Sequence, residues 1–247
     1  MSDARRVAIV GDAGHYVGPE LARLLAARGH DLVLGDPSDA LVAELEATGA
    51  AVEAVRKVRN LARPESAPAL VAAGLARFGR VDSAVAFAGQ IVTGRFTKAT
   101  LDDLRTVVTG CLEGPFHFLK AMVDPMVEQG EGQILLITSA AGARPTPGAP
   151  LYSAVRAGAT MLARNVAAEV ARNGVQVNAV GTNFMDFPEF LAASGASDPE
   201  VRARIEAQVP MGRLGTMEEF ASFCMPFVDG TSRFTTGQFV AYAGGWA

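Results

Sequence analysis

Short apolar runs alternating with longer amphipathic stretches constrain this chain more than any other feature. The runs fall at 6–10, 31–34, 51–55, 83–87, 133–138, 175–180 and 238–242. Several are apolar at consecutive positions, the pattern of strands covered by helices on both faces. Between them, helical periodicity marks 18–28, 39–48, 64–78, 101–128, 152–173, 199–208 and 217–227. This βαβα order predicts an α/β fold, a Rossmann-like doubly wound seven-stranded parallel sheet with helices on both faces. Ligands then gather at the carboxyl ends of the strands. No repeat or linker divides residues 1–247, so a single catalytic domain is predicted. The least strand-like stretch of its second half, 184–215, holds Phe184, Met185, Phe187, Phe190 and Leu191. It is expected to form a helical insertion over the active site, serving as lid and pocket wall.

Composition narrows the function classes. With 49% hydrophobic and 19% charged residues, the 247-residue chain can bury a large core. A net charge of −4 argues against nucleic acid or an anionic membrane as the main partner. No apolar stretch approaches the roughly 20 residues that span a bilayer, and the segment after Met1 is too short for a secretory leader. Cys111 and Cys224 form neither a disulfide framework nor a metal spacing, and His15, His30 and His117 form no ligand cluster. A cytoplasmic protein without a metal is expected.

The first strand ends in Gly11-Asp12-Ala13-Gly14-His15-Tyr16-Val17-Gly18. Glycines in such a turn let backbone N–H groups approach a pyrophosphate. Neither G-x-G-x-x-G nor G-x-x-x-G-x-G is present, because His15 and Val17 replace glycines of the second pattern. Gly11, Gly14 and Gly18 either form a variant nucleotide loop or support a loop plugged by Tyr16, which then lines a small pocket. Asp36 stands where dinucleotide enzymes keep a ribose-binding carboxylate. It stands equally where an Asp caps the helix starting near Ser38.

Ser139 closes the buried run Gln133-Ile134-Leu135-Leu136-Ile137-Thr138-Ser139, thirteen residues before Tyr152. Tyr152 and Arg156, four apart, share one helix face. A free phenol titrates near about 10, and a cation within a few ångströms lowers that by roughly 1–3 units. Arginine keeps its charge when desolvated. The spacing therefore points to proton transfer, with Ser139, Tyr152 and Arg156 as candidate catalytic residues. No G-x-S-x-G elbow, Walker loop or H-E-x-x-H competes with this set.

Ser139 and the Tyr152-x-x-x-Arg156 helix resemble the short-chain dehydrogenase/reductase superfamily over nearly the whole chain. More narrowly, arginine at 156, Tyr16-Val17-Gly18, the stretch 177–187 and the tail motifs at 208–216 and 236–246 resemble halohydrin dehalogenases acting on bulky cyclic epoxides. Gly11 stands where that family keeps threonine, Cys111 where the superfamily keeps asparagine, and Ala88-Gly89-Gln90 where it keeps Asn-Ala-Gly. The resemblance implies a carbon–halide lyase that works without a nicotinamide cofactor. Its substrates would be vicinal halohydrins and epoxides, with halide, azide or cyanide as the small anion. It implies a halide pocket at Tyr16, Thr182, Asn183, Phe184 and Met185 and a substrate wall at Phe187 and Phe190. It also implies a homotetramer built through 101–128 and 152–173. Asp36 and the Gly11/Gly14/Gly18 loop keep an alternative open, a divergent NAD(P)-dependent short-chain oxidoreductase. A degenerate Rossmann-type binding protein is the remaining rival.

Overall fold

The computed structural model describes residues 5–87 and 89–247. Seven strands form one parallel sheet in the order β3-β2-β1-β4-β5-β6-β7. They are β1 (Arg6–Val10), β2 (His30–Gly35), β3 (Val52–Val55), β4 (Ser83–Phe87), β5 (Gly132–Ser139), β6 (Val175–Thr182) and β7 (Phe239–Tyr242). The helices are α1 (Gly18–Ala27), α2 (Asp39–Ala47), α3 (Ser66–Phe78), α4 (Leu101–Val108), α5 (Gly114–Gln129), α6 (Pro150–Val170), α7 (Pro188–Ser194), α8 (Pro199–Glu206) and α9 (Met217–Cys224). The doubly wound Rossmann-like architecture read from the sequence is the one observed.

Each central strand feeds two cores, because successive side chains point to opposite faces. Ala8 and Val10 of β1, with Leu135 and Ile137 of β5, pack against α1, α2 and α9. Val7 and Ile9, with Ile134 and Leu136, pack against α3, α5 and α6. The strand order reverses between β1 and β4, and that crevice is where such sheets bind ligands.

Two local departures reach the site. The single helix expected at 101–128 is interrupted by a π-helical turn at Thr109–Glu113, joining α4 to α5. The Cys111 side chain is buried there, and its Sγ contacts the Gln90 carbonyl oxygen at 3.5 Å. In the 184–215 insertion, Met185 and Gly215 form an isolated parallel bridge at the base of the segment carrying α7 and α8.

Candidate active site

Ser139 ends β5 in extended geometry and caps the short 3-10 turn Ala140–Gly142. Its Oγ accepts from the Ala141 amide at 3.2 Å and donates to the Thr182 carbonyl at 3.4 Å. The turn then presses onto α6. A side chain at Gly142 would collide with the backbone of Arg156 and Ala157, so glycine brings the serine loop against the helix. Pro150 begins α6, where its missing N–H costs nothing. Tyr152 and Arg156 follow on the buried face, 5% and 1% exposed. Thr138 and Thr160, 3.2 Å apart, add a polar contact between β5 and α6. The three predicted catalytic residues are therefore gathered at one end of the β5–α6 unit.

Arg156 sets the electrostatics. Its guanidinium carbon lies 5.0 Å from the Tyr152 ring centroid and 5.6 Å from that of Phe87. None of its three side-chain nitrogens has a hydrogen-bond partner among the described residues. A buried unpaired charge is costly, so the fold keeps this one against its own stability. Phe87, at the end of β4, was not singled out from sequence. An aromatic residue at a strand's carboxyl end on the switch-point strand was the available signal.

Phe87 also touches the glycine turn. The Tyr16 ring packs against Phe87 at 4.8 Å, against Phe187 at 4.7 Å and more loosely against Phe220 at 6.1 Å. Its hydroxyl donates to Thr182 Oγ1 at 2.9 Å, and burial pushes the phenol well above its ordinary value. Phe187 stacks on Phe190 at 6.2 Å. Tyr16 and Thr182, assigned to the anion pocket, thus form one cluster with Phe187 and Phe190, assigned to the substrate wall. The other three residues assigned to the anion pocket turn elsewhere. Asn183 folds its Oδ1 onto the Phe184 amide at 3.0 Å, Phe184 packs on Trp246, and Met185 is buried beside Gly215. They line a separate cavity of about 370 Å³ together with Met211, Arg213 and Tyr242. One continuous pocket through all five residues is therefore not what the chain builds.

Asp36 does not cap α2. Ser38 is the N-cap of α2, accepting from the Leu41 amide. The Asp36 carboxylate instead accepts from the backbone amides of Lys57, Val58 and Arg59 at 2.6, 2.9 and 2.7 Å. It ties β2 to the turn after β3. Asp12, in the glycine turn, pairs with Arg59 at 2.9 Å, and burial raises its pKa against the pull of that guanidinium.

A family model described as "Enoyl-(Acyl carrier protein) reductase" matches residues 14–247. The chain is 32% identical to a 3-oxoacyl-[acyl-carrier-protein] reductase from Synechocystis sp., covering 97% of this chain and 96% of the relative. The chain belongs to the short-chain dehydrogenase/reductase superfamily. It is also 33% identical to cis-4-hydroxycyclohexanecarboxylate dehydrogenase of Sinomonas cyclohexanicum, over 98% of this chain and 97% of the relative. Among solved structures, a gluconate 5-dehydrogenase from Burkholderia cenocepacia in complex with NADP and tartrate superposes with a TM-score of 0.87. It is 25% identical, over 98% of this chain and 95% of that one. These full-length similarities are to oxidoreductases. They overturn the expected carbon–halide lyase acting on halohydrins and epoxides, and favour the oxidoreductase alternative.

A dinucleotide does not fit the groove as this short-chain family member presents it. The Tyr16 ring covers the end nearest Tyr152, and the space left at the glycine turn is about 10 Å³, no more than one water. Side chains at Gly14 and Gly18 would collide with the Asp36 and Asp12 carbonyl oxygens, so these glycines let the turn pack upon itself. The Asp36 carboxylate is already engaged. Among the described residues the far end stays open, as a cleft of about 700 Å³ bordered by Asp12, Arg59, Asn60 and Gln90. Ala88, beside that cleft in sequence, lies outside the described residues. Among the described residues, no His, Cys, Asp and Glu cluster forms a metal site, and no helix is long and apolar enough to cross a membrane.

Proposed function

We propose that this chain is a divergent NAD(P)-dependent short-chain oxidoreductase acting on a small-molecule alcohol or carbonyl compound, working in a conformation from which Tyr16 has withdrawn. The observation that carries this is the gathering of Ser139, Tyr152 and Arg156 at the carboxyl edge of the sheet, in a chain similar over its whole length to named dehydrogenases and reductases. Ser139 Oγ and the Tyr152 phenol hold the substrate oxygen. Tyr152 delivers a proton to a carbonyl oxygen, or removes one from a hydroxyl. Arg156 supports negative charge on the phenol oxygen as that proton moves. Phe187 and Phe190 form an apolar wall for the rest of the substrate.

The chain is proposed to work as a single catalytic domain, with 184–215 as the lid. It is further proposed to be cytoplasmic and homotetrameric. Leu101 and Leu104 on α4, Phe116 on α5 and Met161 on α6 are exposed apolar side chains on the helices expected to form the subunit contacts.

The test is oxidation of NADPH and NADH with a panel of small ketones, and the reverse reaction with alcohols that include a hydroxycyclohexanecarboxylate. Turnover that disappears in Tyr152→Phe supports the reading. Absence of nucleotide-dependent turnover across the panel in wild type and in Tyr16→Gly would falsify it.

A further inference from the structure

Two segments far apart in sequence close the groove together. Tyr16 sits in the glycine turn, and α7 sits in the insertion after β6. They meet at the Tyr16–Phe187 ring contact of 4.7 Å and at the pair His15 Nδ1–Glu189 Oε1, 3.1 Å apart. Backbone conformation marks both sides. Tyr16 has φ +52° and Phe184 has φ +56°, a region that bulky L-residues adopt only when their surroundings hold them there. Tyr16 is held by three aromatic neighbours and by Thr182; Phe184 is held by Trp246. Gly195, at φ +74°, ends α7 and gives the insertion a second point where the chain can turn.

We propose that Tyr16 is a gate on the dinucleotide groove and that α7 is its latch. With α7 docked, Phe187 pins the Tyr16 ring over the end of the groove beside Tyr152. When α7 lifts, turning at Phe184 and Gly195, the ring is released and the groove opens along its length. The latch rests mainly on the aromatic contact, because the Glu189 side chain is more than half exposed and its pair with His15 is weak. Tyr16 is thereby a specificity-determining residue, and the closed form lowers apparent affinity for any ligand that needs the open one.

This inference rests on the oxidoreductase reading, and its test separates the two. The Kd of NADPH and of NADH is measured by calorimetry for wild type, Tyr16→Gly, Phe187→Ala and Glu189→Ala. Hydrogen exchange across 184–195 is followed in each protein with and without nucleotide. Glycine adopts the geometry of position 16 without strain, which offsets part of the cost of losing the ring's contacts, and thermal unfolding of each variant checks that it is folded. The expected result is binding at least about tenfold tighter in Tyr16→Gly, severalfold tighter in Phe187→Ala and little changed in Glu189→Ala. Exchange in α7 rises in the first two variants, and in wild type when nucleotide is added. Wild type binding as tightly as Tyr16→Gly overturns the gate and leaves the oxidoreductase reading intact. Unchanged α7 exchange in both ring variants overturns the latch. Faster α7 exchange with no nucleotide bound by any protein overturns the oxidoreductase reading, and the gate as a cofactor gate with it.

Discussion

The two flanks of the sheet's carboxyl edge are built on opposite plans. On the β5–β6–α6 side, the backbone places Ser139, Tyr152 and Arg156 together, and the guanidinium has no hydrogen-bond partner among the described residues. On the β1–β4 side the space at the glycine turn is filled by the protein's own side chains, and the cleft beyond it stays open. Tyr16 covers the turn, Asp12 pairs with Arg59, and Asp36 is spent on three backbone amides. On the proposed reading, the first flank is arranged for proton transfer, whereas the second, where a nucleotide would lie, is closed at the glycine turn. One fold then keeps its Ser139–Tyr152–Arg156 set while the glycine turn is repacked.

The strongest way to break this contrast is at Tyr152. Tyr152→Phe should lower turnover by about 10²–10⁴-fold. The melting temperature should scarcely move, because the ring keeps its place in the cluster with Val107, Cys111 and Val155. Steady-state kinetics alongside thermal unfolding checks both halves, and a large loss of stability would remove Tyr152 from a purely chemical role. Arg156→Met should trade in the opposite direction. Turnover is expected to drop by about 10²-fold, while unfolding free energy rises by about 1–4 kcal/mol as a buried unpaired charge is replaced by an apolar side chain. Denaturant titration reads the second effect, and a destabilised variant would mean that Arg156 has partners in solution that satisfy it.

On the other flank the same logic predicts stability without chemistry. Asp36→Ala should cost about 2 kcal/mol, since three backbone amides lose a charged acceptor that is partly solvent-accessible. If Asp36 instead governs nucleotide affinity with unfolding unchanged, the contrast between the flanks fails. The smallest effect is expected at His30, away from both. Burial, helped by the charge of Arg6, lowers its pKa below the ordinary value, and Nε2 has no partner among the described residues. The unfolded chain therefore takes up this proton first. The stability from neutral His30 is present above about pH 6.5 and is lost as pH falls from there through the lower folded value. His30→Leu should flatten that part of the stability–pH profile.

The strands, their parallel direction and the spacing of Ser139, Tyr152 and Arg156 were legible because each depends on local pattern. Two-sided apolar runs give buried strands, and an i, i+4 pair shares a helix face whatever surrounds it. The cap reading of Asp36 failed because it looked to neighbours in sequence, whereas its partners come from the turn after β3. The π turn at Thr109–Glu113 was invisible for a similar reason. Gly110 meets Gly89 in the loop after β4, and a helical pattern carries no record of what another segment brings against it. The anion pocket was drawn through consecutive residues, but after Thr182 the chain turns and sends Asn183, Phe184 and Met185 to another cavity. Reading Arg156, Tyr16-Val17-Gly18, the stretch 177–187 and the tail motifs as marks of a lyase gave local motifs more weight than the whole-chain similarity to oxidoreductases supports.

The sequence by itself determined a doubly wound sheet with a hydroxyl–phenol–guanidinium set at its edge, since periodicity and spacing act within one element or between adjacent ones. Only the tertiary structure decided that Tyr16 lies in the groove with Phe187 over it, that Arg156 lies against two aromatic rings with no hydrogen-bond partner among the described residues, and that Asp36 serves the backbone. Those outcomes depend on which surfaces meet across more than a hundred residues of chain in the case of Tyr16 and Phe187. Packing between such distant segments is set by the folded whole and leaves no period in the sequence.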